Sequence, residues 1–268
     1  MRLLLFLIGA TAITACSEYN KVLKSTDIDY KYTKAVEYLE EGKCFQALPI
    51  FEELIGLTRG SQRAEKVYYY HAKSHYCAND FYMANYYFNN FVKNYSFSPY
   101  AEECQFLAAK CSYNLSPNFS LDQTDTKLAL NELQLFMDRY PSSTLRDSCS
   151  TMINTLNGKL EKKSYEIAKL YVKTEQYKSA TLALQNAIKD FPNSPYREEM
   201  MFLVIESSYE YADRSIEEKK SERFSEAIDH YFNFVAYFPQ SAFLKTAESL
   251  YAASLKEIER MEKKKDNL

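Results

Sequence analysis

One helix pattern, met five times in order, decides most of what this chain can fold into. An alanine is followed four and seven positions later by further apolar residues, and in most copies a helix breaker comes twelve positions later. Ala47, Phe51 and Leu54 make the first copy; Ala84, Phe88 and Phe91, closing at Ser96, make the second. Ala129, Leu133, Phe136 and Pro141 make the third, Ala180, Leu184, Ala187 and Pro192 the fourth, and Ala227, Tyr231, Phe234 and Pro239 the fifth. Offsets of four and seven share one face of an α-helix. The small residue lets a second helix cross closely, the larger ones fill the layer beside it, and proline stops the helix.

Four copies also share an ending: Tyr95-Ser96-Phe97-Ser98, Tyr140-Pro141-Ser142-Ser143, Phe191-Pro192-Asn193-Ser194 and Phe238-Pro239-Gln240-Ser241. The aromatic is expected to pack inward and the last serine to cap the next helix. Tyr38 and Gly42 precede the first copy, and Ala168 and Tyr171 the fourth, as members of a partner helix. Antiparallel helix pairs repeated in this way are the tetratricopeptide pattern. The expected fold is therefore all-α, a tetratricopeptide-like superhelix of about five helix-turn-helix repeats. The alanines are 37, 45, 51 and 47 residues apart, more than the roughly 34 of a minimal unit. The surplus falls at Ser116–Thr126, read as a loop, Thr144–Lys159, read as extra helix, and Arg214–Glu222, read as a polar helix extension.

The amino terminus is a separate signal. Arg2 is followed by an apolar run from Leu3 to Ile13, then Ile13-Thr14-Ala15-Cys16. The run has the length of a signal-peptide core and is too short to span a bilayer, which needs roughly 20 apolar residues. Small residues before a cysteine resemble a bacterial lipobox, with Cys16 the lipidated residue. Ser17 after it, rather than Asp, favours the outer membrane. The expected segments are 1–15 as signal peptide, 16–29 as lipidated tether, 30–143 as repeats one to three, and 144–268 as a linking helix with repeats four and five. Lys256–Leu268 reads as a solvated, charged tail.

Nothing in the chain reads as an active site. There are only five Gly, no P-loop, and no GxSxG or GxGxxG. The net charge of -3 carries no basic stripe for nucleic acid. Cys44, Cys77, Cys104, Cys111 and Cys149 are read as small core residues, and Cys104 and Cys111 stand about 10 Å apart along one helix, beyond disulfide reach. His71 and His75 share a helix face, but no Glu follows His71 and no third ligand is near in sequence, so packing is expected and no metal or cofactor. His230 follows Asp229 on an ordinary helix.

Helical repeats of this kind offer a concave groove lined by their first helices. In register, the first two copies project Tyr32, Val36, Leu39, Tyr69, Lys73 and Tyr76 into it. Aromatic rings take apolar side chains and Lys takes a terminal carboxylate, so an extended peptide is the expected occupant.

Taken with the lipobox, the five repeats and three segments give the chain a family resemblance. The segments are Asp122-Gln123-Thr124 through Pro141-Ser142-Ser143, Glu166 through Tyr171, and Tyr177-Lys178-Ser179-Ala180 leading to Asp190 through Tyr196. The chain resembles the BamD family of lipoproteins in the β-barrel assembly machinery of Gram-negative outer membranes. That resemblance implies a non-enzymatic scaffold on the outer membrane, facing the periplasm. Its implied partners are the POTRA domains of a BamA-like Omp85 barrel, bound by the carboxy-terminal repeats, and unfolded outer-membrane proteins, received by the amino-terminal ones. Ala183 stands near a place where the family often has Arg, so no residue is carried over for the BamA contact; Lys178 and Lys189 are the neighbouring cations. The alternatives are another tetratricopeptide lipoprotein of cell-envelope or cell-wall processes, disfavoured by the lack of a preceding heptad segment, and a glycan-binding uptake lipoprotein, disfavoured by the absence of Trp.

Overall fold

The protein is seen in a computed structural model that describes residues 18–266. Its described residues form helices and connecting turns, and the chain divides into two compact units, one ending at Leu156 and the other beginning at Asn157.

The first unit contains α1 (Ile28–Glu40), α2 (Cys44–Leu57), α3 (Ala64–Cys77), α4 (Phe81–Asn94), α5 (Ala101–Leu115) and α6 (Thr124–Arg139). Each helix packs on the next, as antiparallel hairpins must. The template positions are where the packing demands them. Ala47, Phe51, Leu54, Ala84, Phe88, Phe91, Ala129, Leu133 and Phe136 are all fully buried. The inward aromatic of the shared ending rests on the residue four before it: Tyr95 lies 5.1 Å from Phe91, and Tyr140 lies 5.3 Å from Phe136.

The next helix, α7 (Arg146–Lys173), is 28 residues long and serves both units. Cys149, Met152 and Leu156 enter the core of the third repeat, while Tyr165 and Ala168 enter that of the fourth. The extra helix expected at Thr144–Lys159 is thus continuous with the first helix of repeat four, and the first unit runs on to Leu156. The second unit continues with α8 (Tyr177–Asp190), α9 (Arg197–Asp213), α10 (Glu217–Tyr237) and α11 (Leu244–Asp266). Glu217–Glu222 lengthen α10, as the surplus there implied, and 116–123 form the expected loop. Inside that loop Gln123 donates to the carbonyls of Asn118 and Leu121, and Thr126 donates to Gln123, which ties the loop to α6.

Three of the turns between paired helices are built alike. Gly42, Asn79 and Glu175 sit in the left-handed region, with φ of 74°, 58° and 57°. After each of them the next backbone N–H returns to a carbonyl five residues back: Lys43 to Tyr38, Asp80 to His75, and Gln176 to Tyr171. This is the Schellman closure of a helix end, for which glycine is the unstrained choice. Only the first of the three turns uses it.

Four expectations need correction. Ser98, Ser143, Ser194 and Ser241 do not cap the helices that follow; each accepts the N–H two residues on, at 3.0 or 3.1 Å, and so shapes the turn before the helix. Residues 18–24 of the expected tether are helical, and Val22 is fully buried in the core of the first repeat. Lys31, buried on α1, fastens that segment by donating to the Leu23 carbonyl at 3.0 Å and to Glu53 of α2 at 2.5 Å. The charged tail is in part packed: Met261 on α11 is buried against Phe224 and Ala212. Cys44 and Cys77 are not separate core residues but form a disulfide from the start of α2 to the end of α3. Cys104, Cys111 and Cys149 are free and buried, as expected.

Candidate functional site

The six residues assigned to a peptide groove separate into two groups. Tyr69 does not project into open space. It is 4% exposed, stacked on Tyr100 with ring centres 4.4 Å apart, and its hydroxyl donates to Glu103 at 2.6 Å. Burial first, and then that hydrogen bond to Glu103, push its phenol well above the ordinary range. Lys73, one turn along α3, donates to the Tyr69 oxygen at 3.0 Å and to Glu103 at 3.1 Å. Its charge therefore already has a carboxylate partner. These two residues join repeat two to repeat three, and the expectation that Lys73 stands free to take a terminal carboxylate is corrected.

The other four keep a partly open edge. Tyr32, Val36 and Leu39 are half-buried along α1 over the core of the first repeat. Tyr32 meets Phe51 and Tyr70 edge-on at 6.5 and 6.0 Å, with the Arg63 guanidinium 5.5 Å above its ring. Burial raises the Tyr32 phenol to about 12. Tyr76 packs between Phe81 and Phe88. Register alone did not indicate that the neighbouring repeat engages Tyr69 and Lys73 through Glu103. A cavity of about 640 Å³ in this unit is lined by the start of α1, the end of α2 and the turn into α3, including Ile28, Leu57, Thr58 and Arg63, and by none of the six.

The Tyr69 arrangement recurs in the second unit. Tyr165 stacks on Tyr196 at 4.2 Å and donates to Glu199 at 2.6 Å. Lys169 donates to Tyr165 at 2.7 Å and to Glu199 at 3.0 Å. Burial alone would raise the Glu199 carboxyl, yet the bonds from Tyr165 and Lys169 outweigh it and hold the carboxyl below the usual carboxylate range. The signal was present in the sequence: Ser98-Pro99-Tyr100 with Glu103 and Ser194-Pro195-Tyr196 with Glu199 have the same spacing. A duplicated junction of this sort is a device for stacking repeats.

His71 and His75 pack, as expected. Their rings are 4.8 Å apart, Tyr87 lies against both, and His75 Nδ1 is 3.0 Å from Asp80. Neither nitrogen of His71 has a hydrogen-bond partner, and burial with the nearby His75 lowers its pKa to about 4. No group of three metal-ligating side chains occurs among the described residues. Ala183 is half-buried against the core of the fourth repeat, whereas Lys178 and Lys189 are exposed. Cys16 lies outside the described residues.

Helix pairs in series, closed by a common turn and joined by a duplicated Tyr–Lys–Glu junction, define a tetratricopeptide-like helical scaffold. Over residues 25–220 the chain matches the outer membrane lipoprotein (YfiO) family, and it belongs to that family. Similar proteins include the outer membrane protein assembly factor BamD of Caulobacter vibrioides, 22% identical over 74% of this chain and 66% of its own length. The chain thus spans just under two thirds of that relative. The BamD of Haemophilus influenzae is 20% identical, over 74% of this chain and 79% of its own. A putative BamD of Aquifex aeolicus is 24% identical over 95% of this chain and 88% of its own. Among solved structures, the TPR2AB-domain:pHSP90 complex of yeast Sti1 aligns with a TM-score of 0.38 at 11% identity, covering 85% of this chain and 98% of that one.

Proposed function

We propose that this chain is an outer-membrane lipoprotein of a β-barrel assembly machinery, held to the membrane through Cys16 and acting as a scaffold without catalysis. The observation that carries the reading is family membership over residues 25–220, shared with relatives named as outer membrane protein assembly factors. The Cys44–Cys77 disulfide supports it, because such bonds persist in the oxidising space outside the cytoplasm. In this reading the carboxy-terminal repeats bind the POTRA domains of a BamA-like Omp85 barrel. Unfolded outer-membrane proteins meet the partly open rings and side chains of Tyr32, Val36, Leu39 and Tyr76 in repeats one and two. The chain faces the periplasm.

The test is recovery of the tagged, full-length protein from detergent-solubilised envelopes, with its companions identified by mass spectrometry. A POTRA-containing barrel protein as the main partner is expected. Cell-wall enzymes or a sugar transporter in its place would overturn the assembly role and leave the fold as described.

A further inference from the structure

The helical segment 18–24 runs back along α1 rather than away from it. Lys31, near the start of α1, donates to the Leu23 carbonyl at 3.0 Å. Further along α1, Lys34 meets Glu18 at 3.1 Å, and the Tyr38 ring lies 5.8 Å from that of Tyr19. The segment thus begins beside the end of α1, at the turn closed by Gly42, where Lys43 stands 5.7 Å over the Tyr38 ring. Val22, fully buried, fixes it there. From Cys16 to Tyr19 is only three residues, at most about 11 Å of extended chain. Acyl chains on Cys16 therefore cannot hold the first repeat at a distance; they draw its Gly42 end against the bilayer.

That end has the surface for such a contact. The α1–α2 and α3–α4 turns lie together there, because the Cys44–Cys77 bridge ties the start of α2 to the end of α3. Phe45, next to the bridge, is 77% exposed, and Tyr82, in the first turn of α4, is 74% exposed. Rings presented in this way suit the boundary between headgroups and acyl chains, where the apolar body is buried and a polar tip stays wet. Glu40, Glu41 and Asp80 outnumber Lys43 at this end, so attraction to anionic lipid is not its basis. The contact is apolar and needs a headgroup layer of low net charge. Exposure alone does not select the end: Phe97, in the turn at the far end of α4, is fully exposed too. The short chain to Cys16 selects it.

We propose that Phe45 and Tyr82 enter the interfacial layer of the membrane that carries the anchor, so that the first unit touches the bilayer by its Gly42 end. The inference rests on the proposed lipidation of Cys16 and goes beyond it, to a contact made by the protein itself and an orientation of α1 to α4 rising from the surface. Two rings set that orientation without replacing the anchor, since even a single acyl chain holds a protein only marginally.

The chain contains no Trp, so one introduced residue reports alone. The experiment makes Phe45→Trp and, separately, Phe97→Trp in the full-length lipidated protein, whose mass is measured first to establish the acyl chains on Cys16. Each variant is placed in vesicles of phosphatidylethanolamine with a minor share of phosphatidylglycerol. The reporter at position 45 is expected to emit at shorter wavelength than the one at position 97. It should lose about half of its emission when the lipids are brominated near the top of the acyl chains. Aqueous iodide should quench the reporter at position 97 at least twofold more strongly, and raised salt should change neither result. Equal bromine quenching at the two positions, or none at position 45, in a protein that carries its acyl chains would overturn the contact and leave the anchor standing. Loss of the position 45 quenching in high salt would overturn its apolar basis. Absence of acyl chains from Cys16 would overturn the anchor, and the contact with it.

Discussion

His71 shows how one buried side chain couples this fold to pH. Its folded pKa of about 4 lies below the ordinary value of 6.5 because burial and His75 both oppose the charge. The unfolded chain takes up a proton at this position below about pH 6.5 and the folded chain does not until about pH 4. Stability associated with His71 is therefore complete above pH 6.5 and declines as pH falls towards 4, by at most about 3 kcal/mol. Urea unfolding at pH 7.5 and pH 5 should show the loss, and His71→Leu should reduce it. Gly42 offers a second single-residue case. A Cβ there meets no atom within 4 Å, so the expected cost of Gly42→Ala, about 1 kcal/mol, is torsional. The same turn at Glu175 carries that strain already, offset in part by the 2.6 Å ion pair with Arg214.

At the scale of helices, two features hold repeats together. The Cys44–Cys77 bridge closes a segment with a sequence separation of 33, worth about 3–4 kcal/mol by the loop-entropy argument. The double replacement Cys44→Ser and Cys77→Ser should lower stability by roughly that amount, measured against the same protein under reducing conditions, where the difference should vanish. The Tyr–Lys–Glu junctions join α3 to α5 and α7 to α9 with matching distances. Tyr69→Phe and Tyr165→Phe keep the stacked ring and remove the hydroxyl's bonds, so each should cost about 1 kcal/mol. Unequal costs in denaturant titrations would show that the two junctions are alike in geometry but not in energy.

For the molecule as a whole, the proposed attachment to the membrane rests on one residue, Cys16. No described helix is long and apolar enough to cross a bilayer. If Cys16 carries the anchor, Cys16→Ala should move the protein from the membrane pellet to the soluble fraction and abolish palmitate labelling. A variant that still sediments with envelopes would mean that protein partners hold it there.

How much of this was legible beforehand follows from the range of each interaction. The apolar positions from Ala47 to Phe234, the helix-ending prolines and the inward aromatics could be read from the sequence because they are local. A helix face repeats at three and four residues, whatever lies opposite. The junction of Tyr69 with Glu103, the disulfide between Cys44 and Cys77, and the burial of Lys31 and Val22 depend on which helix ends meet across one repeat. That is settled only when side chains from distant positions compete for the same space. Spacing alone placed Lys73 one turn from Tyr69 on α3; the tertiary structure decided that a carboxylate from α5 reaches it.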